Sequence, residues 1–299
     1  MAVVVLNWNG RRLLARCLDS VLASEYKNIR VYLVDNGSSD ESQDFVREQY
    51  PKVTLIQNHK NLGVAEGGNV GARRALRDGA DYIVRLDNDV KVEPGWLGPI
   101  LEAAQADTTI GLLSPMEWHY DGTQLDHHFH ELLREETSYE EDIRKGPLPP
   151  LYETKRVLGG AMTMSRSVVQ RVGLFDPMYF FGHEDGDLCR RARHHGFRML
   201  VVTGSRISHD SRRVPSHGRT PYINARSTQV YNWKNPEWSI WKKVKFSLGF
   251  SKNFTKITGW PMDLHHLLTM AYLQLWVFVH LPGIFWRIRK ERRGACYLE

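Results

Sequence analysis

Cysteine is scarce in this sequence. Its 299 residues include three cysteines, at positions 17, 189 and 296, and no two of them have the Cys-x-x-Cys spacing of a zinc or redox site. Three widely spaced cysteines are also not the framework of a small secreted protein held by disulfides. The apolar N-terminus, Met1–Leu6, lacks the basic lead of a signal peptide, and we interpret it as a first core strand. We therefore expect a cytoplasmic protein.

An excess of charge of one sign is missing from most of the chain. Residues 1–233 contain 29 Lys+Arg and 30 Asp+Glu, whereas residues 234–299 contain 11 and 4. A nearly neutral first part offers no basic path for nucleic acid, so no nucleic-acid partner is expected. The basic residues of the last part alternate with tryptophan, phenylalanine and leucine, which predicts a separate basic, aromatic and helical C-terminal region.

Short apolar runs alternate with helical patterns through the first hundred residues. The runs at 3–6, 29–34, 53–56 and 81–86 are rich in Val and Ile and are typical of strands. This β-α order predicts an α/β/α sandwich with a mainly parallel central sheet. Polar residues follow the four strands, and we expect them to line one crevice at the carboxyl edge of the sheet: Asn7, Asp35, Asn58 and Asp87.

The second half is less regular. Residues 118–152 are rich in charge and are interpreted as an inserted loop or hairpin near the rim of the site. After them the patterns predict a strand at 157–164, helices at 166–173 and 185–195, and a last strand at 199–203.

Two acids interrupt the apolar end of the fourth strand. Asp87 and Asp89, one residue apart, can both face a hard cation such as Mg²⁺ or Mn²⁺ that is completed by phosphate oxygens and water. His209 is a candidate third ligand through a neutral imidazole. Ordinary surface acids and a structural histidine are the alternatives.

A second acidic run lies about a hundred residues later. Glu184 and Asp185 follow two phenylalanines and a glycine, and the aromatic residues would desolvate a carboxylate and tune it as a general base. For Asp187 the alternative is simple stabilisation of a helix start by a negative charge. The run Asp126–Glu131 holds three histidines, but adjacent side chains cannot converge on one ion, so a zinc site is not predicted.

Other candidate sites have evenly matched alternatives. Asp35 could accept hydrogen bonds from a base or a ribose, or could form an Asx turn before the next helix. The stretch Asn58–Asn69 offers amides and bare glycine backbone to a ribose or phosphate, or is only a glycine-weakened helix start.

Several ordered segments resemble family 2 glycosyltransferases, most closely the rhamnosyltransferase-like branch. The resemblance covers residues 2–235 and rests on six segments: Leu6–Gly10, Val34–Asp40, Asn61–Gly63 with Gly68 and Asn69, Asp87 with Asp89, Gly159–Ala161, and Glu184–Arg191. It implies a GT-A fold, a nucleotide-diphosphate sugar donor, a divalent cation (Mn²⁺ or Mg²⁺) and inversion at the anomeric carbon. The chain lacks the Gln-x-x-Arg-Trp run of processive synthases, so processive synthesis is not expected.

The resemblance also implies roles for single residues. Asp185 would be the general base, and Glu184 would bind the acceptor hydroxyl or share that role. Asp87 and Asp89 would hold the diphosphate and the metal, with His209 as a further ligand, while Asp35 would contact the base. The remaining donor-binding candidates are Asn7, Asn9, Asn61, Gly63 and Asn69. The sugar could come from dTDP-rhamnose or a UDP-hexose.

Two units are predicted, a catalytic domain at 1–233 and a C-terminal region at 234–299. Leu264–Trp286 has no charged residue over a length that could span a bilayer, but His265, Gln274 and a Pro-Gly break favour a helix lying on an anionic membrane surface. Packing on the catalytic domain is the alternative. A membrane location would favour a glycan or lipid-linked acceptor and a peripheral position on the cytoplasmic face.

Two other function classes remain open. A nucleotidyltransferase would need a basic glycine-rich phosphate loop near the N-terminus, and residues 9–12, Asn-Gly-Arg-Arg, are a thin substitute. A non-catalytic, membrane-bound nucleotide-binding or scaffold protein is disfavoured by intact acids at both candidate sites.

Overall fold

The computed structural model describes residues 1–210, 220–258 and 264–299, with backbone alone for 220–221, 251–258 and 264–267. In chain order the first half contains β1 (Ala2–Asn7), α1 (Arg11–Leu22), β2 (Arg30–Asp35), α2 (Ser42–Gln49), β3 (Thr54–Gln57), α3 (Gly63–Arg77), β4 (Tyr82–Asp87), β5 (Val90–Val92) and α4 (Leu97–Ala106). The second half contains β6 (Ile110–His119), α5 (His127–Glu136), α6 (Tyr139–Lys145), β7 (Leu151–Thr154), β8 (Ala161–Ser165), α7 (Arg166–Val172), α8 (Glu184–His194), β9 (Arg198–His209), α9 (Thr220–Trp233), α10 (Ile240–Thr258) and α11 (Leu264–Glu291).

One mixed sheet joins the described strands in the order β3-β2-β1-β4-β8-β6-β9-β5, with β7 on β9. β1 is parallel to β2 and β4, β2 is parallel to β3, and β6 is parallel to β9. β8 is antiparallel to both β4 and β6, so β4 and β6 run in the same direction. The predicted mainly parallel sheet is therefore confirmed, and the carboxyl ends of β1, β2, β4, β6 and β9 share one edge.

Helices cover both faces of this sheet. On one face Leu14 and Leu18 of α1 and Ile100 of α4 share an apolar cluster with the odd-numbered Val3 and Val5 of β1. On the other face residues of α3, α7 and α8 share a second apolar cluster with the even-numbered residues of β1, for example Leu188 with Val4. Because side chains alternate along a strand, the run at 2–7 is buried on both sides. The α/β/α sandwich is confirmed.

The second half differs from the sequence prediction in three places. The strand predicted at 157–164 begins only at Ala161, because the preceding Gly159-Gly160 pair forms a turn. The long strand β6 was not predicted, since Gly111 and Pro115 interrupt its apolar run. The segment predicted as a loop or hairpin instead forms α5, α6 and β7.

The C-terminal helices pack against the sandwich. Leu273 and Val277 of α11 and Phe250 of α10 belong to the same apolar core as α3 and α8. Leu268–Glu291 is the one helix among the described residues that is long and apolar enough to cross a membrane, on length and composition alone. The division at residue 233 stays a prediction, but the described part of the tail does not stand apart from the sandwich.

Buried ion pairs tie this tail to α8. Lys234 Nζ lies 3.0 Å from Asp176, 2.6 Å from Asp187 and 2.5 Å from Glu291, and the side chains of all four are almost inaccessible to solvent. Two further cations complete the group, which we call the tail cluster: Asp176, Asp187, Arg191, Lys234, Arg287 and Glu291.

Candidate active site

Three potential metal ligands meet at the carboxyl edge of the sheet. Asp87 ends β4, Asp89 lies in the turn that follows, and His209 ends β9. One ligand atom from each lies within 4.8 Å of the others, and His209 Nε2 is 3.2 Å from Asp89 Oδ1. Two carboxylate oxygens and one imidazole nitrogen suit Mn²⁺, which tolerates nitrogen, and are also compatible with Mg²⁺. The residues therefore fit the cation that the sequence predicts.

Glu117 is a site residue that the sequence analysis missed. Its carboxylate contacts His209 Nδ1, on the side of the ring opposite to Asp89. Glu117 is 3% exposed, and its Oε2 has no hydrogen-bond partner among the described residues. A buried, half-satisfied carboxylate behind a candidate metal-binding histidine is placed to fix the orientation of that ring. The signal was weak, because Glu117 is a single acid in a segment not predicted as a strand.

Burial and neighbouring charges shift the pKa values of Asp87 and His209 at this edge. Burial raises the pKa of Asp87 to about 6, although Arg85 opposes the shift. Burial lowers the pKa of His209, but hydrogen bonds to Asp89 and Glu117 outweigh burial and raise it to about 12. Without a cation, His209 therefore carries a proton that a metal ion would displace.

Asp185 is held by backbone hydrogen bonds at the start of α8. Its Oδ2 accepts from Gly159 N–H at 3.0 Å and its Oδ1 accepts from Gly186 N–H at 2.7 Å. Each oxygen keeps a second lone pair, so the carboxylate is fixed in place and can still accept a proton. These contacts suit a general base.

Arg85 joins the predicted base to the metal ligands. Its guanidinium donates to Asp87 Oδ1 at 2.6 Å and also to the carbonyl of Gly159, the residue whose N–H binds Asp185. Arg85 is 4% exposed, so its charge acts in a poorly solvated site. No role was predicted for Arg85, because an arginine within an apolar strand has no characteristic spacing.

Glu184 differs from its neighbour. It is 7% exposed and its Oε2 has no hydrogen-bond partner among the described residues. Burial, together with the charge of Asp185, raises the pKa of Glu184 to about 7, so that it is partly protonated near neutrality. His183, just before it, has a positive φ of 69°, which turns the chain sharply into α8.

The predicted donor side is a connected set of polar groups. Asn7 donates to Asp35 Oδ1 at 3.0 Å, and its own Oδ1 accepts from Asn88 at 2.7 Å. Asp35 Oδ2 accepts from Ser38 N–H and from Gln43. Asp35 is 0% exposed and both its oxygens are in use, so a contact with a base stays a prediction.

Asn61 and Gly63 shape the loop before α3. Asn61 Oδ1 accepts from Gly63 N–H at 2.8 Å, and Gly63 has φ of +83°. A Cβ at Gly63 would lie 2.5 Å from the carbonyl oxygen of Phe180, so only glycine fits there. Val64 N–H donates to that same oxygen at 2.7 Å and connects the start of α3 to the loop before α8.

The two remaining donor candidates have different surroundings. Asn9 is exposed, and its Oδ1 accepts from Ser39 N–H at 2.8 Å. Asn69 is 0% exposed and bonds Phe175 through both its amide and its carbonyl oxygen. The contacts of Asn69 hold α3 to the chain at 175, and a contact with a donor stays a prediction for both residues.

Comparison with known proteins bears on this arrangement. Residues 2–173 match the family model described as "Glycosyl transferase family 2". The chain is 26% identical over 273 residues to N-acetylglucosaminyl-diphospho-decaprenol L-rhamnosyltransferase of Mycobacterium tuberculosis, covering 81% of this chain and 86% of that protein.

Two solved structures share the fold. The mannosyltransferase PcManGT from Pyrobaculum calidifontis, in complex with GDP-Man and Mn²⁺, aligns with a TM-score of 0.57 at 18% identity over 99% of this chain and 84% of that one. S. aureus TarS 1-349, in complex with UDP-GlcNAc, aligns with a TM-score of 0.62 at 15% identity over 94% and 80%. The predicted GT-A fold is thereby confirmed.

Proposed function

The chain belongs to glycosyl transferase family 2, and on that premise we propose that it transfers a sugar from a nucleotide-diphosphate sugar to a hydroxyl group of a glycan or lipid-linked acceptor, with inversion at the anomeric carbon. The donor would be of the dTDP-rhamnose or UDP-hexose type. The observation that carries the proposal is a chain of hydrogen bonds between the two acidic sites. Arg85 donates to Asp87 and to the carbonyl of Gly159, and the N–H of Gly159 donates to Asp185.

In this proposal Asp185 removes the proton from the acceptor hydroxyl as its oxygen attacks the sugar C1 on the face opposite to the diphosphate. The two backbone N–H groups on Asp185 fix its orientation, which lowers the entropic cost of reaching the transition state. Glu184, partly protonated near neutral pH, can donate a hydrogen bond to an acceptor oxygen or share the role of base.

Asp87, Asp89 and His209 would hold the divalent cation, Mn²⁺ or Mg²⁺. When bound, the cation supplies positive charge that stabilises the negative charge developing on the departing diphosphate. Glu117 holds the His209 ring in the orientation that turns Nε2 towards Asp89.

The first test is donor turnover across UDP-, dTDP- and GDP-sugars with Mn²⁺, Mg²⁺ or EDTA. We expect slow hydrolysis or binding of one donor that EDTA abolishes. In Asp185→Asn, donor binding should persist while transfer is lost, because the base is removed but the metal ligands remain. Asp44→Asn, at an exposed acid of α2, is the matched control. Full transfer by Asp185→Asn would contradict the assigned base.

We also propose that the acceptor is lipid-linked and that the protein lies peripherally on the cytoplasmic face of a membrane. The name of the mycobacterial relative gives a decaprenol-linked sugar as its acceptor. In α11, Leu273 and Val277 pack inward, while Leu275 and Phe278 are 60% and 72% exposed. One face of α11 holds the tail on the core and the other presents apolar surface, as in a helix that lies in the plane of a membrane.

Basic residues continue this surface at the end of α11. A cleft of about 530 Å³ is lined by Trp286, Arg289, Lys290, Arg293 and Gly294. Cationic side chains beside an exposed tryptophan favour the phosphates and interface of an anionic leaflet.

Vesicle sedimentation tests this part of the proposal. The protein should pellet with phosphatidylcholine vesicles that contain phosphatidylserine, and less with phosphatidylcholine alone or at high salt. Replacing Arg289, Lys290 and Arg293 with Gln should release it. An equal loss of charge at three exposed positions of the sandwich is the control, made by replacing Arg12, Lys52 and Arg77 with Gln. Wild-type protein that stays in the supernatant with both kinds of vesicle would contradict the membrane location.

A further inference from the structure

A second cleft opens at the carboxyl end of β6. It has a volume of about 670 Å³ and lies between the last residues of β6, the turn that follows, and helices α5 and α6. Its walls include Trp118, His119, Gln124, His130 and Tyr139. This size is within the range of small-molecule binding sites.

The cleft begins beside the metal ligands. In the parallel pair of β6 and β9, His119 is the register partner of His209, and Trp118 is the partner of Ser208. Glu117, which contacts His209, precedes Trp118 directly and shares a strand face with His119. A molecule in the cleft would therefore lie next to the cation-binding edge of the sheet, where ligands of α/β folds bind.

Hydrogen bonds and ring packing within the protein fix the wall of the cleft that β6 and the following turn form. His119 N–H donates to Gln124 O at 2.8 Å, and Trp118 forms a bridge to Leu125, so the chain folds back after β6 as a tight turn. The Arg206 guanidinium lies 3.9 Å from the ring centroid of Trp118. The indole is thus packed from one side before any ligand binds.

Helices α5 and α6 form the other wall in the same way. His130 Nε2 is 2.7 Å from Glu140, and the rings of His130 and Tyr139 meet edge to face. Asp126 caps α5 through the N–H of His128. A preformed cleft costs little ordering entropy when a ligand binds.

The chemistry of the lining selects the class of ligand. Among the residues that line the cleft there is no lysine or arginine, and its one carboxylate, on Asp126, is 3% exposed and occupied as a helix cap. Phosphates and acidic sugars would therefore find no lysine or arginine in the lining, since the Arg206 guanidinium is stacked on Trp118. Aromatic rings beside amide, hydroxyl and imidazole groups match a pyranose, which has an apolar C–H face and a rim of hydroxyls.

We propose that this cleft binds an uncharged pyranose of the acceptor and holds it against the site at which the donor sugar is transferred. This inference rests on the proposed function and adds to it the chemical class of the acceptor group. It also gives a role to the histidine-rich run Asp126–Glu131, two of whose histidines, His127 and His130, line the cleft.

The test measures binding of uncharged methyl glycosides to the full chain. Saturation-transfer NMR with methyl glycosides of rhamnose, mannose, glucose, galactose and N-acetylglucosamine should show binding of at least one. Gln124→Trp should fill the cleft from an exposed position whose only hydrogen bond described here is made by the backbone. We expect the affinity to fall at least about tenfold, which is about 1.4 kcal/mol.

A second cleft variant and a control variant show whether the loss of glycoside binding is specific to the cleft. Trp118→Leu should also weaken binding, since it removes the ring but leaves an apolar side chain. Trp241→Leu, at a tryptophan that is 79% exposed on α10, should change nothing. The proposal is overturned if no glycoside binds the folded wild-type protein, or if binding survives both cleft variants.

Donor binding separates failure of this inference from failure of the proposed function. UDP, dTDP and GDP are titrated with Mn²⁺ into the same variants. If the wild-type protein binds a nucleotide but no glycoside, the proposed role of the cleft is wrong and the proposed function is retained. If the wild-type protein binds no nucleotide, the proposed function is wrong, and the glycoside titrations still test whether the cleft binds a pyranose.

Discussion

Helix α8 connects two groups of charges, one partly buried and one almost fully buried, that are built in opposite ways. At its N-terminus lies the active-site cluster, made of Arg85, Asp87, Asp89, Glu117, Glu184, Asp185 and His209. One turn further along, Asp187 and Arg191 belong to the tail cluster. The active-site cluster has five carboxylates for one arginine and one histidine, whereas the tail cluster has three carboxylates and three cations.

The contacts of the two clusters show what this difference means. In the described structure, Oε2 of Glu117 and Oε2 of Glu184 in the active-site cluster have no hydrogen-bond partner, whereas every buried side-chain nitrogen and oxygen of the tail cluster has one. Burial costs free energy for each unpaired charge, so excess carboxylates are stable only with protons or cations. A charge-balanced cluster holds the chain together, and an unbalanced one is ready to bind a cation.

The largest effect should come from breaking the balanced cluster. Lys234→Met would leave Asp176, Asp187 and Glu291 with too few cations in a buried site. We expect the free energy of unfolding to fall by about 3–5 kcal/mol, measured by denaturant titration. Lys245→Met, at an exposed position of α10, is the control. An unchanged unfolding free energy would show that the tail cluster does not hold the helices together.

Removing a charge from the unbalanced cluster should have a different result. Asp89→Asn removes a proposed metal ligand but also relieves repulsion from Asp87. We expect Mn²⁺ affinity, measured by EPR titration, to fall by more than about 100-fold. Loss of a residue that only hydrogen-bonds a metal ligand typically lowers affinity by about 10–100-fold. Because Asp89 also contacts His209, stability without metal should change little, far less than in Lys234→Met. A marked loss of stability in metal-free protein would mean that the two clusters do not differ as described.

A smaller effect is expected at the residue behind the histidine. Glu117→Gln keeps the shape but weakens the hold on His209 Nδ1, so Mn²⁺ affinity should fall about tenfold. In a His209→Ala background the same substitution should have no further effect, because Glu117 acts through that ring. Additive losses in the double variant would refute this role.

The smallest effect is on the pH dependence of stability. The pKa of Glu184 is raised to about 7 in the folded protein, above its unfolded value, so the stabilisation by its protonated form is present at low pH and is lost as pH rises towards 7. Metal-free wild-type protein should therefore lose stability between about pH 4.5 and 7, and Glu184→Gln should flatten this slope. Denaturant titrations across that range compare the two proteins. Identical slopes would contradict the raised pKa.

Much of the fold could be predicted because strand and helix patterns are local. Asn7, Asp35 and Asp87 follow apolar runs, and the parallel order of those runs is enough to predict that they share an edge. His209 was a candidate only because imidazole is a metal ligand and because of the resemblance, since the last strand was predicted to end at 203, whereas β9 continues to His209 beside Asp87 and Asp89.

The residues that were missed act through distant contacts. Glu117 is 92 positions from His209, and Lys234 is 57 from Glu291, so neither pair has a spacing that a sequence pattern can show. Arg85 lies within an apolar strand and looks like an interruption until β8 places Gly159 beside it. The balance of charge in a buried cluster depends on which distant residues the fold brings together, so it cannot be predicted from sequence spacing.

The hydrogen bond from Val64 to Phe180 has a consequence for the binding of the two substrates. It joins the loop predicted to meet the nucleotide to the loop that leads into Glu184 and Asp185. A nucleotide sugar that immobilises the first loop immobilises part of the second, and linkage requires an acceptor bound at the second to favour the nucleotide sugar by the same factor. Equilibrium titrations of each substrate in the presence of the other should then show synergy, with the dissociation constant for each substrate falling as the other approaches saturation.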